Sequence, residues 1–133
     1  MTNDLTIAAR IEKTQSRITK AIFPFTTNHH NTLFGGQALA WMDEAAFIAA
    51  TRFCRKRLVT VSSDRIDFNH PIPGGSLVEL VGKVVHVGNT SIKVEVNIFV
   101  EDMYQDNCEK AITGSFSFVA VDENGKPTPV LPV

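Results

Sequence analysis

The stretch LFGGQALAWMDEAAFIAATRFCR, Leu33 to Arg55, decides how the rest of the chain must fold. It opens on a double glycine and continues in alanines and large apolar residues, a helical composition with no proline to break it. Successive residues on a helix stand about 100° apart, so Gln37, Glu44, Thr51 and Arg52 share one narrow polar side. Ala38, Leu39, Trp41, Met42, Ala46, Phe47, Ile48 and Phe53 occupy the rest. A helix that is apolar around most of its circumference has to be buried around most of it. One sheet face covers one side only. The pattern therefore predicts a sheet that curls around the helix, a second subunit that covers the remainder, or both, and it speaks against a lone monomer.

The flanking segments supply that sheet. Leu58 to Phe68 (LVTVSSDRIDF) is rich in β-branched residues, and Ser76 to Val87 (SLVELVGKVVHV) follows the turn signal HPIPGG. In Ser91 to Glu101, Ile92, Val94, Val96, Ile98 and Val100 alternate with Lys93, Glu95, Asn97, Phe99 and Glu101, the period of a strand buried on one face. Cys108 to Val121 reads as another long strand, with Gly114 as a bulge or a point of close approach. The short connections VGNT and DMYQDN predict an antiparallel meander for these last three, and Arg17 to Phe23 is a shorter strand candidate ended by Pro24. The expected class is α+β: one long helix packed in a curved antiparallel sheet of about five strands.

The 133 residues suit a single domain over 1–133, with a core over about 17–121 and an extended tail over 122–133, where NGKPTPVLPV carries three prolines. A net charge of -1 argues against general nucleic-acid binding. Cys54 and Cys108 are too few for a disulfide framework and predict buried free thiols in a reducing compartment. The leading MTNDLTIAARIEKTQSR carries Asp4 and Glu12 and lacks the apolar core of a signal peptide. No segment reaches the roughly 18 apolar residues of a membrane helix. The expected location is the cytoplasm, with no membrane partner.

Asp43 is the residue that local rules do not explain. Its neighbours at helical spacing are Gly36, Leu39, Ala40, Ala46, Phe47 and Ala50, none of which offers a side-chain hydrogen bond. Burying a carboxylate without a partner is costly, and such conflicts tend to mark functional sites. Alternatively Asp43 is solvated beside Glu44 or pairs with a distant donor. Gly35-Gly36 at the helix start would let a ligand approach unpartnered N–H groups at the positive end of the helix dipole, where a carbonyl's developing charge would be stabilised. Taken alone, the pair is more simply a tight turn or a close packing of Gly35-Gly36 against a strand. Asn28 can orient water or donate to a carbonyl, or simply bond its own loop. His29 and His30 lack a third ligand at metal spacing, so no metal is expected. His70 could be catalytic or could only shape the proline-bounded turn. Arg52, Arg55, Lys56 and Arg57 meet the negative end of the helix dipole and could also bind phosphates. The turn Gly88 to Ser91 is a hairpin turn or a place where backbone meets a ligand.

Together NHHNTLFGG, ALAWMDEAA, LVTVSSDRIDFNHPIPGGSLVEL and VGNTSIKVEVNIFVED resemble the acyl-CoA thioesterases of the hot-dog superfamily over roughly residues 17 to 121. The nearest group is the short bacterial and the fused two-domain cytosolic acyl-CoA hydrolases. The resemblance implies the hot-dog fold and hydrolysis of acyl-CoA to a free acid and CoA. In it Asp43 falls on the catalytic acid, as general base or nucleophile. Asn28 falls on the catalytic asparagine, contributed across a dimer interface from the acid. Gly36 falls on the helix-start glycine whose amide faces the thioester carbonyl, with Gly35 beside it, and Gly88 and Ser91 fall near the turn that contacts CoA. Arg55 and Arg57 are candidates for the CoA phosphates. The family forms dimers that assemble into hexamers, and no metal or redox cofactor is implied, CoA being part of the substrate. Many relatives have glycine where this chain has Asn31. Two other readings stand beside hydrolysis. One is a hydratase or dehydratase of the same superfamily, which typically pairs a histidine with an acid. The other is a sensor that binds acyl-CoA without turnover.

Overall fold

The computed structural model describes residues 4–133, with side chains from Thr6 onward. Helix α1 spans Asp4–Lys13 and strand β1 Ser16–Ala21, and a short 3-10 turn over Pro24–Thr26 leads toward α2, Gly35–Cys54. Strands β2 (Arg57–Ser63), β3 (Asp67–Phe68), β4 (Ser76–Val87), β5 (Ser91–Asp102) and β6 (Glu109–Val121) follow. They form one six-stranded sheet in the order β1-β4-β5-β6-β2, with β3 also on β6, and every pairing is antiparallel. The meander β4-β5-β6 is the one its sequence predicts.

The period of two in β5 becomes its two faces. Ile92, Val94, Val96 and Ile98 are fully buried. They meet α2, whose buried side is Ala38, Met42, Ala45, Ala46, Ala49, Ala50, Phe53 and Cys54. Five alanines on that side let the helix lie close to the strands. At Gly114 of β6 an added Cβ would collide with Ile66 and stand 3.2 Å from Met42, so close approach, rather than a bulge, is what requires glycine there. Phe118, with no exposed surface, fills the space on the same strand. Phe118→Ala should lower unfolding free energy by about 3–5 kcal/mol, measured by denaturant titration. A loss under 1 kcal/mol would mean the core closes over the gap.

Three expectations need correction. The strand expected over Leu58 to Phe68 is split. Its register on β6 shifts between Thr60 and Ser62, pairing ends at Ser63, and it resumes at Asp67, as β3. A second helix, α1, precedes the expected core. Its Ile7 and Ile11, one turn apart, pack on the core. Arg10 Nε donates to Phe53 O and its Nη2 to Arg52 O at 3.1 Å, while Lys83 Nζ bonds Glu12 Oε1 at 2.6 Å and holds the Glu12 carboxyl below its ordinary pKa. The tail from 122 onward has no regular helix or strand, in keeping with its prolines, and it is docked on the fold. Thr128 N donates to Ala120 O and Val130 N to Asn89 O, Lys56 Nζ donates to Pro129 O at 2.7 Å, and Val130 is fully buried. Finally, only Cys54 is a buried thiol, and Cys108 is exposed. Burial pushes the Cys54 thiol up, away from the reactive thiolate. Among the described residues no helix is long and apolar enough to cross a membrane.

Candidate functional site

Asn28 lies in the loop between the 3-10 turn and α2. Its Oδ1 accepts from His30 N at 2.9 Å and from Thr32 N and Oγ1, each at 3.2 Å. Three donors on one oxygen fix the side chain and leave its Nδ2 as a donor with no hydrogen bond among the described residues. The loop reading and the site reading of Asn28 therefore coexist: one end of the amide builds the loop and the other remains available. Asn31 in the same loop has φ 59°, the left-handed region that glycine adopts most readily and asparagine tolerates. That is the physical content of the departure at this position, where many relatives have glycine.

Asn28 and Gly35 line one cavity of about 350 Å³, with Leu33, Phe68, His70 and Ile112 among its walls. Phe34 is the N-cap of α2, and no side chain caps the helix, so its first N–H groups remain for a ligand. Gly35 borders the cavity, whereas Gly36 is exposed and an added Cβ there would come within 2.8 Å of the Phe34 ring. His70 Nδ1 stands 3.9 Å from Glu109 Oε1. His29 and His30 are exposed neighbours in the loop, and no cluster of three or more ligating side chains occurs among the described residues.

Asp43 is elsewhere. It is half-buried on the flank of α2 and accepts a hydrogen bond from Thr60 Oγ1 at 3.2 Å. Of the alternatives its sequence left open, the distant donor is the one observed. Thr60 had no place in the sequence reading, though a signal was present. Leu58 points into the core, and a period of two brings Thr60 to the same face, toward the helix. Thr60 pairs with Phe118, whereas the cavity of Asn28 borders Ile112 on the same strand. Six residues of strand separate the two, roughly 20 Å. One protomer thus places Asn28 with Gly35, and Asp43 with Thr60, but does not bring the pairs together.

Gly88 and Ser91 close the β4-β5 hairpin, Gly88 N donating to Ser91 O at 2.8 Å. Ser91 pairs with Val119 of β6, which pairs with Val59 of β2. The hairpin end, Thr60 and Arg57 therefore share one end of the sheet, with β2 and β5 about 10 Å apart across β6. The two arginines part company. Arg57 Nη1 lies 3.5 Å from Asp122 O, while Arg55, the left-handed C-cap of α2, faces a separate cleft beside α1.

Comparison with known proteins adds the family. The thioesterase superfamily profile matches residues 30–106. The chain is 44% identical over 112 residues to an uncharacterized acyl-CoA thioester hydrolase of Bacillus subtilis, covering 84% of this chain and 65% of that one. It thus spans about two thirds of that relative's length. An acyl-CoA hydrolase from Staphylococcus aureus, solved with butyryl-CoA, CoA and CoA disulfide, superposes with a TM-score of 0.85 at 34% identity, over 90% of this chain and 73% of that one. A hexameric thioesterase from Yersinia pestis superposes with a TM-score of 0.79 at 30% identity, over 87% and 93%. With its long helix cradled in a curved antiparallel sheet, the chain belongs to the thioesterase superfamily and has the hot-dog fold.

Proposed function

We propose that the protein hydrolyses acyl-CoA thioesters to a carboxylic acid and free CoA. The observation that carries this reading is the Asp43–Thr60 pair on an incompletely covered helix flank. A carboxylate held by one hydroxyl keeps lone pairs for a water molecule. Asp43 draws a proton from that water, which attacks the thioester carbon, or attacks the carbon itself. The Asn28 Nδ2 and the N–H groups at Gly35 and Gly36 hold the carbonyl oxygen as it gains charge. The carbon–sulfur bond then breaks and CoA leaves as a thiolate that takes up a proton. No metal or redox cofactor has a part in this scheme. Gly88, Ser91 and Arg57, at the Thr60 end of the sheet, hold the CoA portion. Arg55, turned toward α1, fits that role less well.

The site is built between two copies of the chain. Leu39 and Phe47 on α2 remain 37% and 44% exposed, and Val59 and Val61 on the edge strand β2 44% and 55%. These residues flank Asp43 and Thr60, so a copy seated there would cover the apolar strip and could bring its own Asn28 to Asp43. The hexameric relative supports assembly beyond a dimer. The Staphylococcus aureus hydrolase has been solved as variants at Asp43, Thr60 and Asn28, and this chain has the same residue types at those three numbers.

Thiol release from a panel of acyl-CoA chain lengths tests the activity directly. Hydration of an enoyl-CoA without thiol release would transfer the site to the hydratase reading, and tight acyl-CoA binding without turnover to the sensor. Thr60→Val removes the hydroxyl and keeps the shape. It should lower kcat about tenfold, the scale of one hydrogen bond to a charged group, with KM little changed. Unchanged kcat would remove Thr60 from the mechanism.

A further inference from the structure

The corner where α1 and α2 both end holds a concentration of charge that the proposed reaction does not use. Arg10, Lys13, Arg52 and Arg55, with Thr14, line a cleft of about 360 Å³. No carboxylate lines it, and none of the four cations has an ion-pair partner among the described residues. Two are fixed by backbone carbonyls: Arg10 on Phe53 O and Arg52 O, and Arg52 Nη1 on Gln15 O at 3.2 Å. The side chains of Lys13 and Arg55 make no hydrogen bond among the described residues. The C-terminal ends of two helices attract cations, but each carries only roughly half a negative charge. Four full charges exceed that by about three. An unfilled site of this kind repels itself and favours an anion.

A second cleft, of about 250 Å³, continues from the first and shares Arg10 and Lys13 with it. Its other walls are Thr6, Ile7, Ala9, Phe53, Leu131 and Val133, with no acidic side chain among them. Cationic head and apolar annex together describe an amphiphile with one charged end. We propose that the corner between α1, the end of α2 and the docked C-terminal segment binds an aliphatic carboxylate, its head between Lys13 and Arg55 and its chain along Ile7 and Leu131. The guanidinium of Arg55 presents the fork that a carboxylate accepts bidentately. The annex has room for about eight groups of water size at ~30 Å³ each, which suits a chain of octanoate length. Arg52 and Arg55 follow Asp43 by nine and twelve residues, so the corner lies roughly 13 to 18 Å along the helix from it. Binding there is separate from the thioester site. That the ligand's source is the hydrolysis product is the one clause that rests on the proposed function.

Calorimetric titration of the whole protein with octanoate, butanoate and inorganic phosphate tests this without any assay of turnover. Octanoate should bind at least tenfold more tightly than butanoate, since each buried methylene strengthens binding by about twofold to fourfold. Phosphate should bind more weakly than octanoate. Lys13→Ala combined with Arg55→Gln should weaken octanoate at least tenfold, as should Leu131→Glu alone, while Asp43→Ala leaves it unchanged. Melting temperatures near that of the wild type establish that the variants fold, and Lys13→Glu alone serves if the pair does not. Octanoate binding indifferent to these changes, loss of it in Asp43→Ala, equal affinity for phosphate, or no binding at all would each overturn the proposal. Failure of thioester hydrolysis leaves it standing.

Discussion

Asp43→Ala should reduce thiol release from acyl-CoA by about 10²- to 10⁴-fold, the range that a positioned general base contributes, while the protein remains folded. The second half of that expectation follows from where the residue sits. Asp43 is half-buried, and its one side-chain hydrogen bond among the described residues is to Thr60 across an exposed surface. Truncation opens no core cavity, because Met42, Ala45 and Ala46 belong to the buried side of α2, whereas Asp43 lies on its flank. Alanine is also a better helix former than aspartate by up to about 0.7 kcal/mol, so the melting temperature should hold or rise slightly. A residue that lowers helix propensity and fills no core space is more simply explained by chemistry than by packing. Thiol release on a folded variant above a tenth of the wild-type rate would falsify the assignment. Asp43→Asn separates charge from shape: it keeps the contact with Thr60 and should be nearly as inactive as alanine.

Much of this architecture was legible because it rests on periodicity. Ile92 to Ile98 alternate, and they are buried in alternation. The apolar circumference of Leu33 to Arg55 called for more cover than one sheet gives, and Leu39 and Phe47 remain exposed in one chain. What escaped depends on contacts between distant residues. Helix α1 is short, and its anchors are Arg10 on the carbonyls of α2 and Glu12 on Lys83, partners 42 to 71 residues away. The docking of the C-terminal segment depends on Lys56 and on the carbonyl of Asn89, which accepts from Val130 N. The site divides the same way. Asp43 stood out because it violates a local rule. Thr60 did not, because a threonine in a strand violates none and matters only through the helix it faces. Asn28 looked like a loop residue and is one. The second role proposed for it draws on an Oδ1 that is occupied and an Nδ2 that has no hydrogen bond among the described residues. The resemblance put the carbonyl-facing amide on Gly36, with Gly35 beside it, but of the two only Gly35 borders the cavity.

Mixing two inactive variants should restore activity. Asn28→Ala loses the amide donor and Asp43→Ala the acid, and each pure protein should be nearly silent. If each site takes Asn28 from one protomer and Asp43 from its partner, a mixed dimer holds one doubly damaged site and one intact site. Random exchange of equal amounts makes half the dimers mixed, so about a quarter of the wild-type activity should return. If both residues served the same site within one chain, no mixture could exceed its components. The geometry favours the first outcome. Asn28 with Gly35 borders Ile112, Asp43 bonds Thr60 beside Phe118, and the two pairs lie in different places on one chain. Bringing them together within a protomer would take a movement of many ångströms through a packed sheet, whereas a second copy seated on Val59, Val61 and Phe47 requires none. The readout is thiol release after co-refolding, or after slow subunit exchange, with each variant alone as the baseline. Refolding matters, because a stable hexamer that never exchanges would report only its starting partners. Activity that stays at baseline when tagged copies of the two variants copurify would place the whole site within one chain. The separation between Asn28 and Asp43 would then have to close when substrate binds.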